Sequence, residues 1–490
     1  METNPSLKQQ VIQALSDVLP ADAILSNNEV LRPYECDGLT AYQRLPLAVV
    51  LPTSTEQIQQ VVKACNKLGV PIVARGAGTG LSGGALPHEQ GIVLSLARLN
   101  RILEIDTQNL QARVQPGVRN IAISQAVDAH GLFYAPDPSS QVACTIGGNV
   151  AENSGGVHCL KYGLTIHNLI QLKVVTADGE LLTIGSDTLD TSAGCDLLTI
   201  MTGSEGLLGI VVEVIVKLTV KPDSIQVLMA AFDRISDAGD AVAAVISAGI
   251  IPAGLEMMDN PAIRAAEAFA NAGYPTHAAG ILLCELDGEE LAVQDQLTHV
   301  KAILKRYRAT DIHIAKTANE RARLWAGRKA AFPAVGRISP DYYCMDGTIP
   351  RKHLAQVLER IYELATQYEL QVANVFHAGD GNLHPLILYD ANRAGELEKA
   401  ERFGADILAL CVKVGGSITG EHGVGYEKLD SMCVQFDTPE LEIFHAIKHA
   451  FDPNELLNPG KAIPTLHRCA ELGAMHVHHG QLSHPELPRF

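Results

Sequence analysis

Apolar and polar positions alternate in two different ways along the chain, and the change falls near residue 222. Between residues 46 and 220, short β-branched runs alternate with glycine-rich turns, as in PLAVVLP, VPIVARG, GIVLSL, QARVQPG, LIQLKVVTADGE and GLLGIVVEVIVKLTV. The amphipathic stretch TEQIQQVVKACNKLG lies among these runs and predicts a helix. Beyond residue 222, longer Ala-rich stretches such as ISDAGDAVAAVISAGI predict amphipathic helices. The pattern therefore predicts an α+β fold.

The same change of pattern divides the chain into parts. We expect an N-terminal helical segment (1–45), a first domain (46–222), a second α+β domain (223–465) and a polar, His-rich tail (466–490). The length of 490 residues fits two to four domains of about 100–200 residues each. A second strand-rich stretch, QVANVFHAGDGNLHPLILYD, lies in the second domain and carries the most specific chemistry.

The charge and the termini limit the classes of partner. The net charge is −17, so the phosphate backbone of a nucleic acid would be repelled, and we expect no nucleic-acid partner. No stretch approaches the about 18 uninterrupted apolar residues that span a bilayer, and the N-terminus has neither a basic leader nor an apolar signal core. We therefore expect a cytoplasmic protein that contacts the inner face of a membrane only indirectly, through partners.

Cysteine spacing argues against a cysteine-bound metal. The ten cysteines are scattered, and no two of them have the two-residue spacing that is typical of zinc or iron–sulfur sites. We expect all of them to be reduced thiols.

The densest glycine cluster follows a predicted strand directly. Residues 76–84 contain five glycines in nine positions, which allows backbone N–H groups to converge on an anion such as a pyrophosphate. The segment from Gly78 to Gly83 matches G-x-G-x-x-G, but a Rossmann site requires this motif to open a helix, whereas here ALPHEQG leads into the strand GIVLSL. The cluster predicts an anion-binding loop of another kind; a tight turn without a ligand is the alternative.

Two further clusters of small residues make a ligand the better explanation. The stretch APDPSSQVACTIGGNVAENSGG contains Pro136 and Pro138, which stiffen the backbone, and several glycines that leave room for a large flat ligand. A third stretch, Gly203–Gly209, leads into a strand. Three separate clusters in one α+β domain predict one extended ligand bound among loops.

A pair of histidines lies in the strand-rich stretch of the second domain. In VFHAGDGNLHPL, Asp380-Gly381 predicts a two-residue hairpin turn. Symmetric pairing about that turn places His377 opposite His384, with Cβ atoms about 4.5–5.5 Å apart on one sheet face. Two imidazoles at that distance can hold one cation, and two hydrogen-bonded histidines without a metal are the alternative.

Glu421 and His422 add a carboxylate and a third imidazole in the loop ITGEHGVG. Two histidines with one further ligand form a site that leaves positions open for a substrate. Neighbouring residues in extended backbone point to opposite faces. We therefore expect one of the two to bind the metal and the other to face the reacting carbon.

Arg328 is the candidate for binding a substrate carboxylate. It lies on a predicted helix, ERARLWAGRKAAF, beside the single Trp, and a guanidinium suits bidentate binding of a carboxylate. A solvated helix cation is the alternative, and Arg321, Arg323 and Lys329 are rival candidates.

The glycine clusters and the histidine motifs resemble those of a known superfamily. Residues 46–222 resemble the FAD-binding domain of the vanillyl-alcohol oxidase and para-cresol methylhydroxylase superfamily, and residues 223–465 resemble its FAD-linked oxidase C-terminal domain. The resemblance is strongest to the D-subunits of bacterial glycolate dehydrogenase (glycolate oxidase) and covers nearly all of the chain except its ends. It implies an FAD- and metal-dependent dehydrogenase that oxidises glycolate or a similar small D-2-hydroxy acid to the 2-oxo acid.

The resemblance also assigns roles to residues. It implies that Arg75–Gly84 holds the FAD pyrophosphate and that the other two clusters line the rest of FAD. No histidine lies within 75–84, and His88 follows outside the loop, so we expect noncovalent FAD. The candidate FAD-binding residues are Arg75, Gly76, Ala77, Gly78, Thr79, Gly80, Leu81, Ser82, Gly83, Pro136, Asp137, Ser139, Thr145, Gly147, Gly148, Asn149, Asn153, Gly155, Gly156, Glu205, Gly209 and Ile210.

For the second domain, the resemblance implies that a divalent metal (zinc, manganese or iron) is bound by His377, His384 and Glu421. His422 is then the general base, and Arg328 is favoured over its rivals as the carboxylate-binding residue. Neutral Cys344 and Met345 favour a monocarboxylate substrate. Implied partners are a second FAD-domain subunit and an iron–sulfur subunit, which pass electrons to a quinone-type acceptor.

Other functions remain open at this point. D-lactate dehydrogenase is the first alternative, because one methyl group in a pocket changes preference by only about 1–3 kcal/mol. A flavin-binding electron-transfer subunit without chemistry of its own is the second, and it does not explain the His/Glu motifs. A metal hydrolase is the third, and it predicts a colourless protein.

Overall fold

The α+β prediction is confirmed by the computed structural model, which describes residues 6–186, 195–465 and 469. The strands are β1 (Ile24–Leu25), β2 (Ala48–Val50), β3 (Ile72–Arg75), β4 (Ile92–Ser95), β5 (Ile102–Asp106), β6 (Gln111–Val114), β7 (Leu132–Phe133), β8 (Leu169–Val175), β9 (Leu181–Gly185), β10 (Ile210–Lys217), β11 (Thr219–Val220), β12 (Ser224–Phe232), β13 (Gly254–Asp259), β14 (Gly280–Gly288), β15 (Asp311–Ile314), β16 (Asp341–Cys344), β17 (Gln371–His377) and β18 (Asn382–Tyr389).

The helices cover the sheets and connect their strands. They are α1 (Leu7–Ser16), α2 (Asn28–Leu31), α3 (Thr55–Leu68), α4 (Asn120–Val127), α5 (Ile146–Glu152), α6 (Cys159–Tyr162), α7 (Leu197–Met201), α8 (Ile235–Ser247), α9 (Asn260–Ala270), α10 (Glu290–Arg306), α11 (Ala318–Lys329), α12 (Ala331–Val335), α13 (Leu354–Tyr368), α14 (Glu396–Lys413), α15 (Leu429–Gln435) and α16 (Thr438–Phe451).

Two larger sheets and the antiparallel pair of β7 and β11 make up the first half of the molecule. One has the order β1-β2-β4-β3, with β2, β3 and β4 parallel, and the other is antiparallel with the order β5-β6-β10-β8-β9. Helix α3 begins after the N-cap Ser54, ends at Gly69 in the left-handed region (φ 63°), and buries Ile58, Val61 and Val62 against the first sheet. The residues before 46 also contribute a strand, because β1 pairs with β2. Each predicted strand run of this half contains an observed strand.

The second half is built on one seven-stranded antiparallel sheet with the order β15-β12-β14-β13-β17-β18-β16. Helices α8, α10, α13 and α14 cover one face, and α9, α11 and α12 cover the other. The sequence pattern predicted α8 and α10 but missed β12, β13 and β14. These strands are buried on both faces, so they read as continuous apolar runs without the alternation that marks a half-exposed strand.

The C-terminal part of the described chain carries one correction. Cys433 in α15 forms a disulfide with Cys469, so the expectation that every cysteine is a free thiol is wrong for this pair. The rest of the predicted tail (466–490) lies outside the described residues. Among the helices that the structure describes, none is long and apolar enough to cross a bilayer.

Candidate active site

A cavity of about 460 Å³ lies where the glycine clusters meet the seven-stranded sheet of the second half. The end of β3, the N-terminal turns of α5 and the approach to β10 form its first wall. Residues of α11 and α12, the β17–β18 hairpin and the 419–422 loop form the opposite wall. It is lined by the predicted residues Arg75, Gly76, Ala77, Gly78, Thr79, Gly80, Leu81, Ser139, Thr145, Gly147, Gly148, Asn149, Glu205, Gly209, Ile210, Arg328, His377, His384, Glu421 and His422.

The structure places the remaining candidates for FAD binding elsewhere. The Ser82 carbonyl accepts N–H groups of Tyr426 and Glu427, and Asp137 lies 2.9 Å from the ring of His158. Gly155 and Gly156 border a second, smaller cavity. The candidates that do not line the large cavity are Ser82, Gly83, Pro136, Asp137, Asn153, Gly155 and Gly156.

The 76–84 loop is shaped by a buried guanidinium. Arg75 ends β3, is 8% exposed and donates from Nη1 to the Cys36 carbonyl at 2.7 Å. Gly78 lies over this guanidinium in the left-handed region (φ 71°), and a Cβ there would collide with it. The loop runs without a helix into β4, as predicted for a site that is not of the Rossmann type.

Unpartnered polar atoms show that the cavity suits a ligand rich in hydrogen-bonding groups. Thr145 Oγ1 is buried at the cavity wall without a hydrogen-bond partner among the described residues, and so is Glu152 Oε2. Buried polar groups of this kind normally have a partner, and a bound ligand can supply it. With the flanking glycines, these groups fit FAD.

The β17–β18 hairpin corrects the predicted register. The loop has four residues, 378–381, so His377 faces Asn382, and His384 faces Val375. The two-residue turn was wrong because the chain leaves the ladder two residues earlier, where Gly381 N–H bonds to the His377 carbonyl. A shift of two residues preserves the face on which a side chain lies, so the two imidazoles still meet, with ring centroids 5.0 Å apart.

Three donor atoms converge beside this hairpin. Glu421 Oε1 lies 3.2 Å from His377 Nε2 and 3.1 Å from His384 Nε2. Although burial opposes it, the two histidines lower the pKa of Glu421 well below its ordinary value. Two imidazole nitrogens and one carboxylate oxygen are the donor set of many zinc, manganese and ferrous sites.

The outer nitrogens of the same histidines are already occupied. His377 Nδ1 lies 2.8 Å from Glu256 Oε1, and His384 Nδ1 lies 3.3 Å from the Met345 carbonyl. A backbone carbonyl can only accept, so His384 Nδ1 is the nitrogen that donates to Met345, and Nε2 is the nitrogen that is left for a metal ion. The donor set therefore fits a metal ion.

The loop that carries Glu421 and His422 is wrapped around one buried carboxylate. Asp346 is fully buried and accepts the backbone N–H groups of Gly420 (3.0 Å), Glu421 (3.1 Å) and His422 (2.9 Å). Lys428 lies 3.1 Å from the same carboxylate. Burial opposes ionisation, but Lys428 and His422 hold the pKa of Asp346 far below its ordinary value.

The backbone of residues 420–422 curves around the Asp346 carboxylate, and this makes one expectation about Glu421 and His422 wrong. Glu421 and His422 do not point to opposite faces, because successive N–H groups that share one acceptor bend the backbone away from a strand. Both side chains line the large cavity, and His422 Nε2 lies 3.9 Å from Glu421 Oε1.

His422 itself is a neutral imidazole with a free nitrogen. Its ring stacks on His384 at 4.8 Å between centroids, and its buried Nδ1 has no partner among the described residues. Burial lowers the pKa of His422 to about 4. An uncharged ring with an unused nitrogen at a cavity wall can accept a proton from a ligand.

Arg328 is a cavity residue and not a solvated helix cation. It lies at the end of α11, is 1% exposed, and its Nη2 is 2.6 Å from Glu256 Oε2. Its Nε has no hydrogen-bond partner among the described residues. Lys329 also lines the cavity, whereas Arg321 and Arg323 do not. The guanidinium is thus held by one carboxylate and retains donors for another.

Sequence reasoning missed three residues that position this site: Glu256, Asp346 and Lys428. Glu256 connects Arg328 to His377, and its signal was a single carboxylate inside the apolar run GLEMM. Asp346 had a similar signal, because it follows the buried apolar residues Cys344 and Met345 at the end of β16. A lone charge in a buried strand needs a partner, but the sequence does not show which one.

The comparisons with known proteins agree with this geometry. Residues 46–185 match the family described as FAD binding domain, and residues 221–462 match FAD linked oxidases, C-terminal domain. The chain is 62% identical over 483 residues to the glycolate oxidase subunit GlcD of Escherichia coli (strain K12), covering 99% of this chain and 97% of that one. It is 42% identical to GlcD of Bacillus subtilis (strain 168), covering 87% of this chain and 91% of that one.

Further similarities extend the picture. The D-lactate dehydrogenase of Anaerostipes hadrus is 32% identical, with 92% of this chain and 97% of that one covered. A solved structure of p-cresol methylhydroxylase with substrate bound has a TM-score of 0.81 at 20% identity and covers 95% of this chain and 98% of that one, which shows a shared fold. With the FAD-binding match and its close relatives, the chain belongs to the FAD-linked oxidases, in the group that contains the glycolate oxidase subunits GlcD.

Proposed function

We propose that this protein is a dehydrogenase that oxidises glycolate, or a similar small D-2-hydroxy acid, to the 2-oxo acid. FAD is bound noncovalently in the large cavity, and a divalent metal is held by His377, His384 and Glu421. One observation carries the proposal: a single cavity joins the glycine clusters to the three donor atoms, to His422 and to Arg328.

The chain's own residues divide the work as follows. Arg328 binds the substrate carboxylate through the donors that Glu256 leaves free, and this orients the α-carbon in the cavity. His422 takes the hydroxyl proton on its unpartnered Nδ1. A bound FAD would supply the hydride acceptor for the α-hydrogen, and a metal held by His377, His384 and Glu421 would supply polarisation of the hydroxyl group. Asp346 and Glu256 keep the loop and the His377 ring in position.

The cavity wall favours a small substrate. Phe332, from α12, lies edge-on to His384 with 6.1 Å between ring centroids, and Pro333 lines the same wall. These side chains fill space close to the proposed metal. The Phe332 ring also packs against Tyr342, at 6.3 Å between centroids, which limits its freedom to move aside.

D-lactate is the alternative substrate. The relative named D-lactate dehydrogenase supports it, at lower identity than the relatives named GlcD. A non-catalytic flavin subunit receives less support, because its function would not require the converging donor atoms or the free His422 nitrogen.

Electrons leave the flavin through other subunits in this proposal. The relatives are named as subunits, which supports assembly with further chains. We propose a second FAD-domain subunit and an iron–sulfur subunit as these partners, with a quinone-type acceptor and a location at the inner face of the membrane. The cysteine spacing of this chain supports an external iron–sulfur partner.

The test is anaerobic flavin reduction. Purified protein is mixed with glycolate, D-lactate, L-lactate or D-2-hydroxyglutarate, and the flavin absorbance is followed. We expect rapid bleaching with glycolate or D-lactate, which chelation abolishes and added metal restores. A flavin that stays oxidised with all four acids, also after the partner subunits are added, would refute the proposal.

A further inference from the structure

A second cavity, of about 200 Å³, reaches the proposed metal ligands from another side. It shares His377 and Glu421 with the large cavity, but no residue of the 76–84 loop lines it. Its other walls come from the segment 155–167, from Thr348 and from the β17–β18 turn. His377 and Glu421 therefore form a partition between the two cavities, and a flavin in the large cavity leaves the small one open.

The small cavity connects this partition to the surface. Asp380 and His167, which line it, are exposed, whereas His377 at its inner end is 5% exposed. Its volume has room for several water molecules. A cavity of this size can hold a cation together with part of its hydration shell.

The lining chemistry favours a cation over the substrate. The exposed Asp380 carboxylate lies at the outer end and Glu421 at the inner end, and Thr348 and Asn382 also line the cavity. Gly155 leaves the inner end open, because a Cβ there would lie 2.7 Å from Glu421 Oε2. Carboxylates at both ends attract a divalent cation and repel a hydroxy-acid anion.

We propose that the small cavity is the loading port through which a divalent cation reaches and leaves His377, His384 and Glu421 while FAD is bound, with Asp380 as the attracting group at its outer end. The port rests on the proposed function, since it presupposes the metal site. It adds a separate role for Asp380 and for the 155–167 segment, neither of which lines the large cavity in which the oxidation is proposed to occur.

The experiment measures metal uptake directly. FAD-loaded protein is stripped with a chelator and mixed with Co²⁺ in a stopped-flow instrument, and the d–d absorbance of the bound ion gives the loading rate without any turnover. Asp380→Asn removes the attracting charge, and Leu164→Trp narrows the cavity from its wall. Glu359→Gln, exposed on α13, is the charge-matched control, and Leu164→Ala is the control for the wall position.

We expect loading to be about tenfold slower in Asp380→Asn and more than about tenfold slower in Leu164→Trp, with wild-type rates in both controls. The final cobalt content and the flavin spectrum stay unchanged, and removal of FAD does not speed loading of the wild type. If Asp380→Asn and Leu164→Trp load cobalt at the wild-type rate, or if loading accelerates once FAD is removed, the port is refuted but the metal site is not. Cobalt uptake no greater than that of His384→Ala would refute the metal site and the port together.

Discussion

The buried ammonium of Lys428 and the buried carboxylate of Asp346 lie 3.1 Å apart beneath the loop that carries Glu421 and His422. Both side chains are at most 1% exposed, and each compensates the charge of the other where water cannot. The same carboxylate accepts three successive backbone N–H groups. The loop's geometry therefore depends on an ion pair whose two residues do not line the large cavity.

Asp346→Asn should destabilise the protein and disable flavin reduction. The change leaves Lys428 buried without a counter-charge, which costs about 3–5 kcal/mol of folding free energy. Urea unfolding of the FAD-loaded protein measures this, with Glu363→Gln, in an exposed pair with Arg360, as the control that changes stability by less than about 1 kcal/mol. A loss no larger than that of the control would show that the pair does not support the loop.

His384→Ala should lose the metal and keep FAD. The variant removes the Nε2 donor that lies 3.1 Å from Glu421 but leaves the glycine-loop side of the large cavity intact. Metal analysis and the flavin spectrum, taken on the same sample, separate the two outcomes. Loss of both would mean that this histidine supports the cavity as a whole.

His422→Asn should keep both FAD and metal and yet lose reduction by the substrate. The amide cannot accept a proton, and general-base catalysis typically contributes about 10²–10⁴-fold. The measurement is the rate of flavin bleaching in a single turnover. A binding titration is the control, and it should show unchanged substrate affinity. Bleaching within about twofold of the wild-type rate would remove His422 from the mechanism.

Arg328→Lys should weaken substrate binding while Glu256 keeps a cationic partner. Loss of a hydrogen bond to a charged group costs about 1.5–3 kcal/mol, which corresponds to about 10- to 150-fold in affinity. The neighbouring Lys329→Met is the comparison, since it removes an exposed charge from the same cavity. If Lys329→Met weakens binding and Arg328→Lys does not, the carboxylate-binding residue has been misassigned.

Stability should depend on pH through His158, which bridges the two halves of the chain. Its ring lies 2.9 Å from Asp137 and 3.1 Å from Glu285, and although burial opposes it, these carboxylates raise the pKa of His158 well above 6.5. Because the folded pKa is raised, the stabilisation is complete below pH 6.5 and is lost as the pH rises through the folded pKa.

The free energy of unfolding should therefore be higher for the wild type than for His158→Gln. This difference should be largest at pH 6 and should shrink as the pH becomes alkaline. The control is His299→Gln, which changes an exposed pair with Asp295 on α10. Its difference from the wild type in free energy of unfolding should change little with pH. A constant difference between wild type and His158→Gln from pH 6 to pH 10 would contradict this assignment.

Local patterns in the sequence were sufficient for much of this structure. The helix α3, the strands β2, β3, β4, β6, β8 and β10, and the non-Rossmann nature of the 76–84 loop all follow from short-range periodicity and turn chemistry. The face shared by His377 and His384 was predicted although the register was not, because the two-residue period survives an even shift.

What the sequence could not show depends on contacts between distant segments. Asp346 and Lys428 are separated by 82 residues, and Glu256 and His377 by 121. No local pattern pairs such charges, and only the fold reveals that each buried charge has a partner. The strands β12–β14 were missed for a related reason, since burial on both faces removes the alternation that identifies a strand.

The walls of the large cavity come from opposite halves of the polypeptide, with the glycine loops and Arg75 before residue 222 and the histidine side chains, Arg328 and Phe332 after it. Under the proposed function, electron storage and substrate choice are therefore encoded in separable stretches of the gene. Mutations after residue 222 can exchange one small acid for another without rebuilding the redox half, so new substrate preferences can arise by changes in one half alone.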